Sequence, residues 1–243
     1  MEYKAVKTIS TNKFFFIKDY KNTVKDNINY AVKSEKIMEN IKYKHLINMI
    51  TSFEYKNNTI FLYYNYNCID LITIYENNDE SKLNFIESIK YDISQQLINV
   101  VKFLHENNIC HRDIKLDNIL LNKNNILLCD YEYCINTDDI GCNDNVMNQY
   151  VGTELYMAPE IINREVNLNY KSIDIWNTAL VIFVILTKGQ LLMYDTFKYW
   201  RQYYSKDIIE NFFIYNENEY DFINFFMLSL NPKNTERILL NIL

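Results

Sequence analysis

One eight-residue stretch constrains this chain more than any other: His111-Arg112-Asp113-Ile114-Lys115-Leu116-Asp117-Asn118. A long segment of helical apolar period precedes it. Two short apolar runs, Ile119 to Leu121 and Ile126 to Cys129, follow it and end at a second acid, Asp130. Charged residues between apolar runs usually make a solvated turn. Here a carboxylate (Asp113), an ammonium (Lys115), a carboxamide (Asn118) and another carboxylate (Asp130) fall within one short, partly apolar segment. These groups suit the movement of a phosphoryl from a metal-bound nucleotide to a hydroxyl. One carboxylate can orient the hydroxyl and accept its proton, while the other, with the amide oxygen, can hold magnesium.

The rest of the chain bounds that chemistry. Its 243 residues, 49% hydrophobic and 23% charged, can bury a sizeable core, and neither disorder nor a fibre is expected. The net charge is −6, and Lys and Arg are scattered, so no nucleic-acid footprint is expected. Cys68, Cys110, Cys129, Cys134 and Cys142 form no paired metal-ligand spacing and read as free thiols of a reducing compartment. The apolar run from Ala179 to Leu186 is too short to span a bilayer, and the start of the chain has no apolar signal region. An intracellular protein, cytoplasmic or nuclear, without membrane partners is expected.

Three segments read as strands: Lys13 to Asp19, Asn29 to Lys33, and Thr59 to Tyr66, the last after a turn at Asn57-Asn58. From Leu83 the period changes. Phe85, Ile89, Ile93, Leu97, Val100, Val101 and Leu104 predict a long amphipathic helix, with Ser81 able to cap it. The remainder after Asp130 is an irregular polar loop and then mostly helical.

With these residues in place, the chain resembles the eukaryotic protein kinases of the Ser/Thr type. His111 to Asn118 is similar to their catalytic loop, and Asp130-Tyr131-Glu132 stands where Asp-Phe-Gly is usual. Gly152-Thr153-Glu154-Leu155-Tyr156-Met157-Ala158-Pro159-Glu160 resembles the substrate-facing loop that ends in Ala-Pro-Glu, and Asp174-Ile175-Trp176 the start of the buried central helix. The resemblance implies an α+β, two-lobed protein-kinase-like fold. A small β-rich N-lobe (1–66) with a shortened helix C would join a larger α-helical C-lobe (67–243) in a single domain, a monomer. The implied cofactors are ATP and Mg2+, and the implied partner is a protein substrate.

The resemblance also implies roles. Asp113 would be the base and Lys115 would steady the γ-phosphate. Asn118 and Asp130 would bind metal. Lys33, ending Tyr30-Ala31-Val32-Lys33, would hold the α- and β-phosphates. Ile9, Ile17, Ala31 and Leu120 would line the nucleotide, Tyr64 would gate the back pocket, Tyr66 would belong to the hinge, and Asp70 would meet the ribose or cap a helix. Thr153 would bond Asp113 and Lys115. Glu160 would pair with Arg237, and Asp174 would anchor the catalytic-loop backbone.

Several positions depart from the family pattern. The stretch Ile9 to Ile17, matched to the phosphate-covering loop, carries Ser10, Asn12 and Phe15 where glycine is usual, and Glu132 replaces a fourth glycine. Only eleven residues separate Lys33 from His45, fewer than the family needs for a strand-to-helix turn. The two candidate partners for Lys33 are Glu35, whose Cα can lie at most about 7 Å away, and Glu39, which has the reach. Arg112 usually meets a phosphate on the loop, but residues 144–150 hold no Ser or Thr; Tyr150 is the only hydroxyl close by, and Thr137 lies farther off. Arg112 is therefore expected to meet a carboxylate such as Asp144, or nothing. These departures also admit a second function, a pseudokinase that keeps the fold as a binding or allosteric module.

Overall fold

The helical period that begins near Leu83 builds the element on which the larger half rests. In the computed structural model, which describes residues 2–7, 14–20, 25–55, 58–64, 68–139, 151–166, 168–189, 220–231 and 233–239, it is helix α3 (Glu80–Glu106). Ile89, Ile93, Leu97, Val100, Val101 and Leu104 are all buried, the stripe that a 3.6-residue period lays along one side, while Phe85, expected to begin it, is exposed and Ile86 is buried instead. The cap of α3 is Asp79 rather than Ser81. The Asp79 carboxylate accepts hydrogen bonds from the Ser81 and Lys82 amides and from the Ser81 hydroxyl.

The smaller half is an antiparallel sheet with one helix. Strands β1 (Glu2–Lys7), β2 (Phe14–Tyr20), β3 (Met49–Tyr55) and β4 (Asn58–Tyr64) pair in the order β1-β2-β4-β3. Helix α1 (Lys25–Ile37) lies in the chain between β2 and β3. It includes Asn29 to Lys33, where a strand was expected. Burial explains the outcome: Ala31, Ser34, Glu35 and Met38 are buried while Lys33 and Lys36 are exposed. That is a helical spacing, and it outweighs the strand preference of the short Tyr-Ala-Val run.

A two-residue strand β5 (Ile69–Asp70) leads into α2 (Leu71–Glu76) and then α3. Beyond α3 come β6 (Ile109–Cys110), β7 (Ile119–Asn122), β8 (Asn125–Leu128) and β9 (Ile135–Asn136). β5 pairs with β7, β7 with β8, and β6 with β9. Residues 111–118 are thereby held between β6 and β7, with Asp130 just past β8. The helices α4 (Pro159–Ile162), α5 (Tyr170–Leu186) and α6 (Tyr220–Ser229) complete the described chain. Helix α5 is buried at nearly every position, including Asp174, Trp176 and Asn177, as the central helix of a core must be. The molecule is thus mixed α+β, with a small antiparallel sheet and a larger helical portion. Among the described residues no helix is long and apolar enough to cross a membrane.

Candidate active site

Asp174 builds the site from below. Its two carboxylate oxygens accept the backbone amides of His111 and Arg112, each at 2.8 Å, and Oδ2 also lies 3.0 Å from His105 Nε2. A buried carboxylate on the buried helix α5 thus holds the loop that follows β6. The loop needs this support, because Arg112 adopts a left-handed φ of 68°, which disfavours a side-chain-bearing residue. Cys110 completes a cluster of three possible ligand atoms with His105 and Asp174, all within 4.8 Å. Both Asp174 oxygens are spent on amide hydrogens, however, and burial pushes the Cys110 thiol far up. The cluster is a scaffold.

Above this anchor, Asp113, Lys115, Asn118 and Thr153 share one hydrogen-bond network. Asp113 Oδ1 accepts the Thr153 amide at 3.0 Å and the Thr153 hydroxyl at 3.1 Å. Asp113 Oδ2 lies 3.0 Å from the Lys115 ammonium, which also donates to Thr153 Oγ1 at 2.8 Å. The Asn118 amide nitrogen donates to the Asp113 carbonyl at 2.8 Å and to Oδ2 at 3.1 Å. That orientation leaves the Asn118 carbonyl oxygen as the group available to a cation. Burial lowers the affinity of Lys115 for its proton, but the carboxylates of Asp113, Asp117 and Asp130 together outweigh it and the pKa is raised. The ammonium therefore stays charged. Gly152, at φ 109°, sits where a Cβ would meet the Arg112 carbonyl oxygen at 3.1 Å, so the loop bearing Thr153 approaches closely only with glycine there.

Asp130 joins this network to the smaller half, and here the structure corrects the sequence. The lysine that reaches Asp130 is Lys18, on β2, at 2.6 Å. The same ammonium pairs with Glu35 of α1. Lys18 and Glu35 are almost fully buried, at 1% and 0% side-chain exposure. Lys33 lies exposed on α1, and Ala31, expected to line the nucleotide from a strand, is buried on the same helix. With Lys18 as the strand lysine, the spacing to Glu35 is 17 positions. The deletion inferred from Lys33 disappears, and Glu39 instead accepts a hydrogen bond from Ser52 at 3.3 Å. Burial raises the Asp130 pKa, but Lys18, with His111 and Lys115, offsets this and the net shift is downward. Asp130 is a held anion, also in a left-handed conformation, φ 66°.

Two further expectations move. Residues 14–17 belong to the strand that carries Lys18, and Phe15 pairs with Val6 and Tyr64 rather than occupying a turn. The match of Ile9 to Ile17 with the phosphate-covering loop therefore fails for its second half. Ile17 is a β2 strand position, and Ile9 lies outside the described residues. Tyr64 is 45% exposed, whereas its neighbour Tyr63 is buried and bonds Glu35 through its hydroxyl. Strand alternation puts only one of the two inside, and it is Tyr63, not Tyr64, that lies buried against Glu35. Burial, with the Glu35 charge second, pushes the Tyr63 pKa well up. Tyr66 lies outside the described residues. Asp70 caps α2, accepting the Thr73 amide at 2.7 Å, and half-buried Leu120 pairs with it across β5 and β7.

Tyr131 is buried, its hydroxyl shared between the carbonyls of Ile47, at 2.8 Å, and Leu128, at 2.9 Å. Glu132 is half-buried, and burial, with the charge of Asp130 second, raises its pKa to about 7. At the far side, Glu160 and Arg237 form a bidentate pair at 2.6 and 2.9 Å, fully buried, with the guanidinium over the Trp176 ring.

A buried lysine bridges a helix glutamate and the acid after β8, and the loop that carries Asp113 is anchored by Asp174 of a buried helix. The family model described as "Protein kinase domain" matches residues 3–238. The chain belongs to the protein kinase domain family. Among curated relatives it is 29% identical over 190 residues to a probable serine/threonine-protein kinase, fhkC, of Dictyostelium discoideum. That match covers 75% of this chain and 29% of the relative. It is 36% identical over 120 residues to CBL-interacting serine/threonine-protein kinase 2 of Arabidopsis thaliana, covering 49% of this chain and 26% of the relative. With cyclin-dependent kinase-like 2 of Pongo abelii it shares 27% identity over 155 residues, 63% of this chain and 29% of the relative. The matched segments thus span under a third of each relative. The family in general uses ATP with magnesium and acts on proteins.

Proposed function

We propose that this chain is an ATP- and magnesium-dependent protein kinase that transfers the γ-phosphoryl to Ser or Thr hydroxyls of proteins. The observation that carries the reading is the buried Lys18, which pairs with Glu35 and Asp130 at once. That bridge fixes a cation where the α- and β-phosphates would lie and holds the metal-binding acid beside it. Asp130 and the Asn118 carbonyl oxygen are hard oxygen donors that fit magnesium. Bound there, magnesium would neutralise phosphate charge.

The chain's own groups supply the rest. Asp113 Oδ1 and Oδ2 are oriented by Thr153, Asn118 and Lys115, so one oxygen can accept a hydrogen bond from an incoming hydroxyl and take its proton. Lys115 carries a fixed positive charge toward the transferred phosphoryl. The contribution is positioning and charge stabilisation. Thr153 and the relatives named as serine/threonine kinases favour Ser/Thr over Tyr acceptors.

One observation favours the alternative, a kinase-fold binding module without transfer. Glu132 places a third carboxyl beside Asp130, and its proton is retained up to about pH 7. Once ionised it opposes the approach of a phosphate chain.

The discriminating experiment is thermal stabilisation by ATP with and without magnesium, followed by phosphate transfer to a generic protein, beside an Asp113→Asn control. At ATP 100-fold above Kd, magnesium-dependent binding contributes about 2.7 kcal/mol, a rise of roughly 5–10 °C for a domain of this size. Transfer should fall at least about 100-fold in the control. The absence of both shift and transfer refutes the enzyme.

A further inference from the structure

Arg112 is only 3% exposed, and among the described residues no carboxylate lies within ion-pair distance of it. Asp144, its expected partner, lies outside the described residues. The guanidinium is instead enclosed by aromatic groups and a carbonyl. Nη2 donates to the hydroxyl of Tyr30 on α1, and Nε donates to the Tyr133 carbonyl at 2.7 Å. The Tyr30 hydroxyl in turn donates to the same carbonyl at 3.4 Å. The ring of Tyr30 lies 5.6 Å and that of Tyr170, the first residue of α5, 5.2 Å from the guanidinium carbon, both at cation–π range. Nη1 has no hydrogen-bond partner among the described residues.

The three polar groups form a closed triangle. Arg112 belongs to the catalytic loop, Tyr133 to the segment after Asp130, and Tyr30 to the helix that carries Glu35. Tyr30 precedes Glu35 by five residues, about 7.5 Å along a helix. Helix α1 is therefore held at two separate points, by Arg112 at Tyr30 and by Lys18 at Glu35. A rigid helix held twice cannot swing about either contact alone.

We propose that Tyr30 is a positioning residue for phosphoryl transfer: it occupies Arg112 in place of a loop phosphate, and so keeps Glu35, Lys18 and Asp130 assembled in the unphosphorylated protein. The proposal rests on the kinase reading above. It agrees with residues 144–150, which contain no Ser or Thr and only one hydroxyl, that of Tyr150. A neutral phenol is a good partner for a guanidinium already enclosed by rings. The hydrogen bond to the charged group provides direction, and the two rings provide desolvated contact.

The test compares the full chain, treated with phosphatase and verified by intact mass, with its Tyr30→Phe variant, which keeps the ring and loses the hydroxyl. Phosphatase-treated wild type should retain its transfer rate. Tyr30→Phe should lose about tenfold in kcat, the scale of one hydrogen bond to a charged group. KM for the protein substrate should stay within about twofold, which a merely structural role would not select. Tyr30→His, which keeps a hydrogen-bonding ring, should recover part of the loss and replaces the Phe variant if that one does not fold. Amide hydrogen exchange across residues 25–37 should be faster in Tyr30→Phe. Wild type that requires a phosphate for activity, or a Tyr30→Phe variant with unchanged kcat and exchange, overturns the proposal. Wild type that neither binds magnesium-ATP nor transfers phosphate overturns the kinase reading instead, and exchange across α1 then decides whether Tyr30 holds the helix.

Discussion

Replacing Lys18 by methionine, and separately Lys33 by methionine, tests the central contact of the site. The Lys18 ammonium is buried between Glu35 and Asp130. Methionine fills most of its volume but removes the cation that faces Glu35, which is fully buried. Breaking a buried ion pair by deleting one partner costs about 3–5 kcal/mol, because the surviving charge is uncompensated. Part of that returns when the carboxyl takes up a proton, so a net loss of about 3 kcal/mol is expected. For a domain of this size each kcal/mol is worth about 2–4 °C, and the melting temperature should fall by roughly 6–12 °C. Adding Glu35→Gln removes the stranded charge, so the double variant should regain most of the stability but none of the ATP response. Lys33→Met, on the exposed face of α1, should move the midpoint by no more than about 2 °C, within the roughly 0.5 kcal/mol expected of surface changes, and leave magnesium-ATP binding intact. Differential scanning calorimetry of the four proteins, with and without magnesium-ATP, reads all of this. Equal effects of Lys18→Met and Lys33→Met, or a double variant less stable than Lys18→Met, would refute the reasoning.

Two other perturbations carry definite signs. Arg237→Met leaves Glu160 charged and buried and removes the guanidinium from over Trp176. It should cost about 3–5 kcal/mol, read by urea denaturation, with Glu160→Gln/Arg237→Met milder than Arg237→Met alone. Glu132 holds its proton up to about pH 7, against 4.5 ordinarily. The folded state therefore binds that proton more tightly, and the stability this contributes is lost as pH rises from about 4.5 to 7. Wild type should lose ground to Glu132→Gln between pH 5 and 8 in thermal melts, and parallel curves would refute the assignment.

The grouping of Asp113, Lys115 and Asn118 was legible because these residues fall in one contiguous stretch. Asp113, Lys115 and Asn118 lie within six positions, and one short segment fixes their spacing. The buried helix around Asp174 and the pairing of Glu160 with Arg237, 77 positions apart, were legible only through the family resemblance of the segments that hold them. The smaller half was not. Its lysine meets Glu35 across 17 positions and Asp130 across 112, so no local pattern announces it. Tyr30-Ala31-Val32-Lys33 imitates the strand motif over four residues, too few to reveal a helical period. The period emerges only when Ala31, Ser34, Glu35 and Met38 are read together, with Lys33 and Lys36 opposite. Tyr63 and Tyr64 differ by one position in a strand, and choosing between them requires the register, which β2 and β3 set from outside β4. The Tyr30–Arg112 contact spans 82 positions and joins types with no pairing signal in sequence.

Tyr131 has a consequence for small molecules. Swinging its side chain out would expose a buried ring and give up a hydroxyl shared by two carbonyls. Apolar burial of that size is worth roughly 2 kcal/mol and the hydrogen bonding about 1 kcal/mol more. A total near 3 kcal/mol leaves the vacated slot open in fewer than about one molecule in a hundred. A compound that needs that slot would bind about 100-fold more weakly than its contacts alone would allow, whereas one confined to the space in front of Lys18 would carry no such handicap. Affinity for this protein should therefore be sought in ligands that leave Tyr131 where it is.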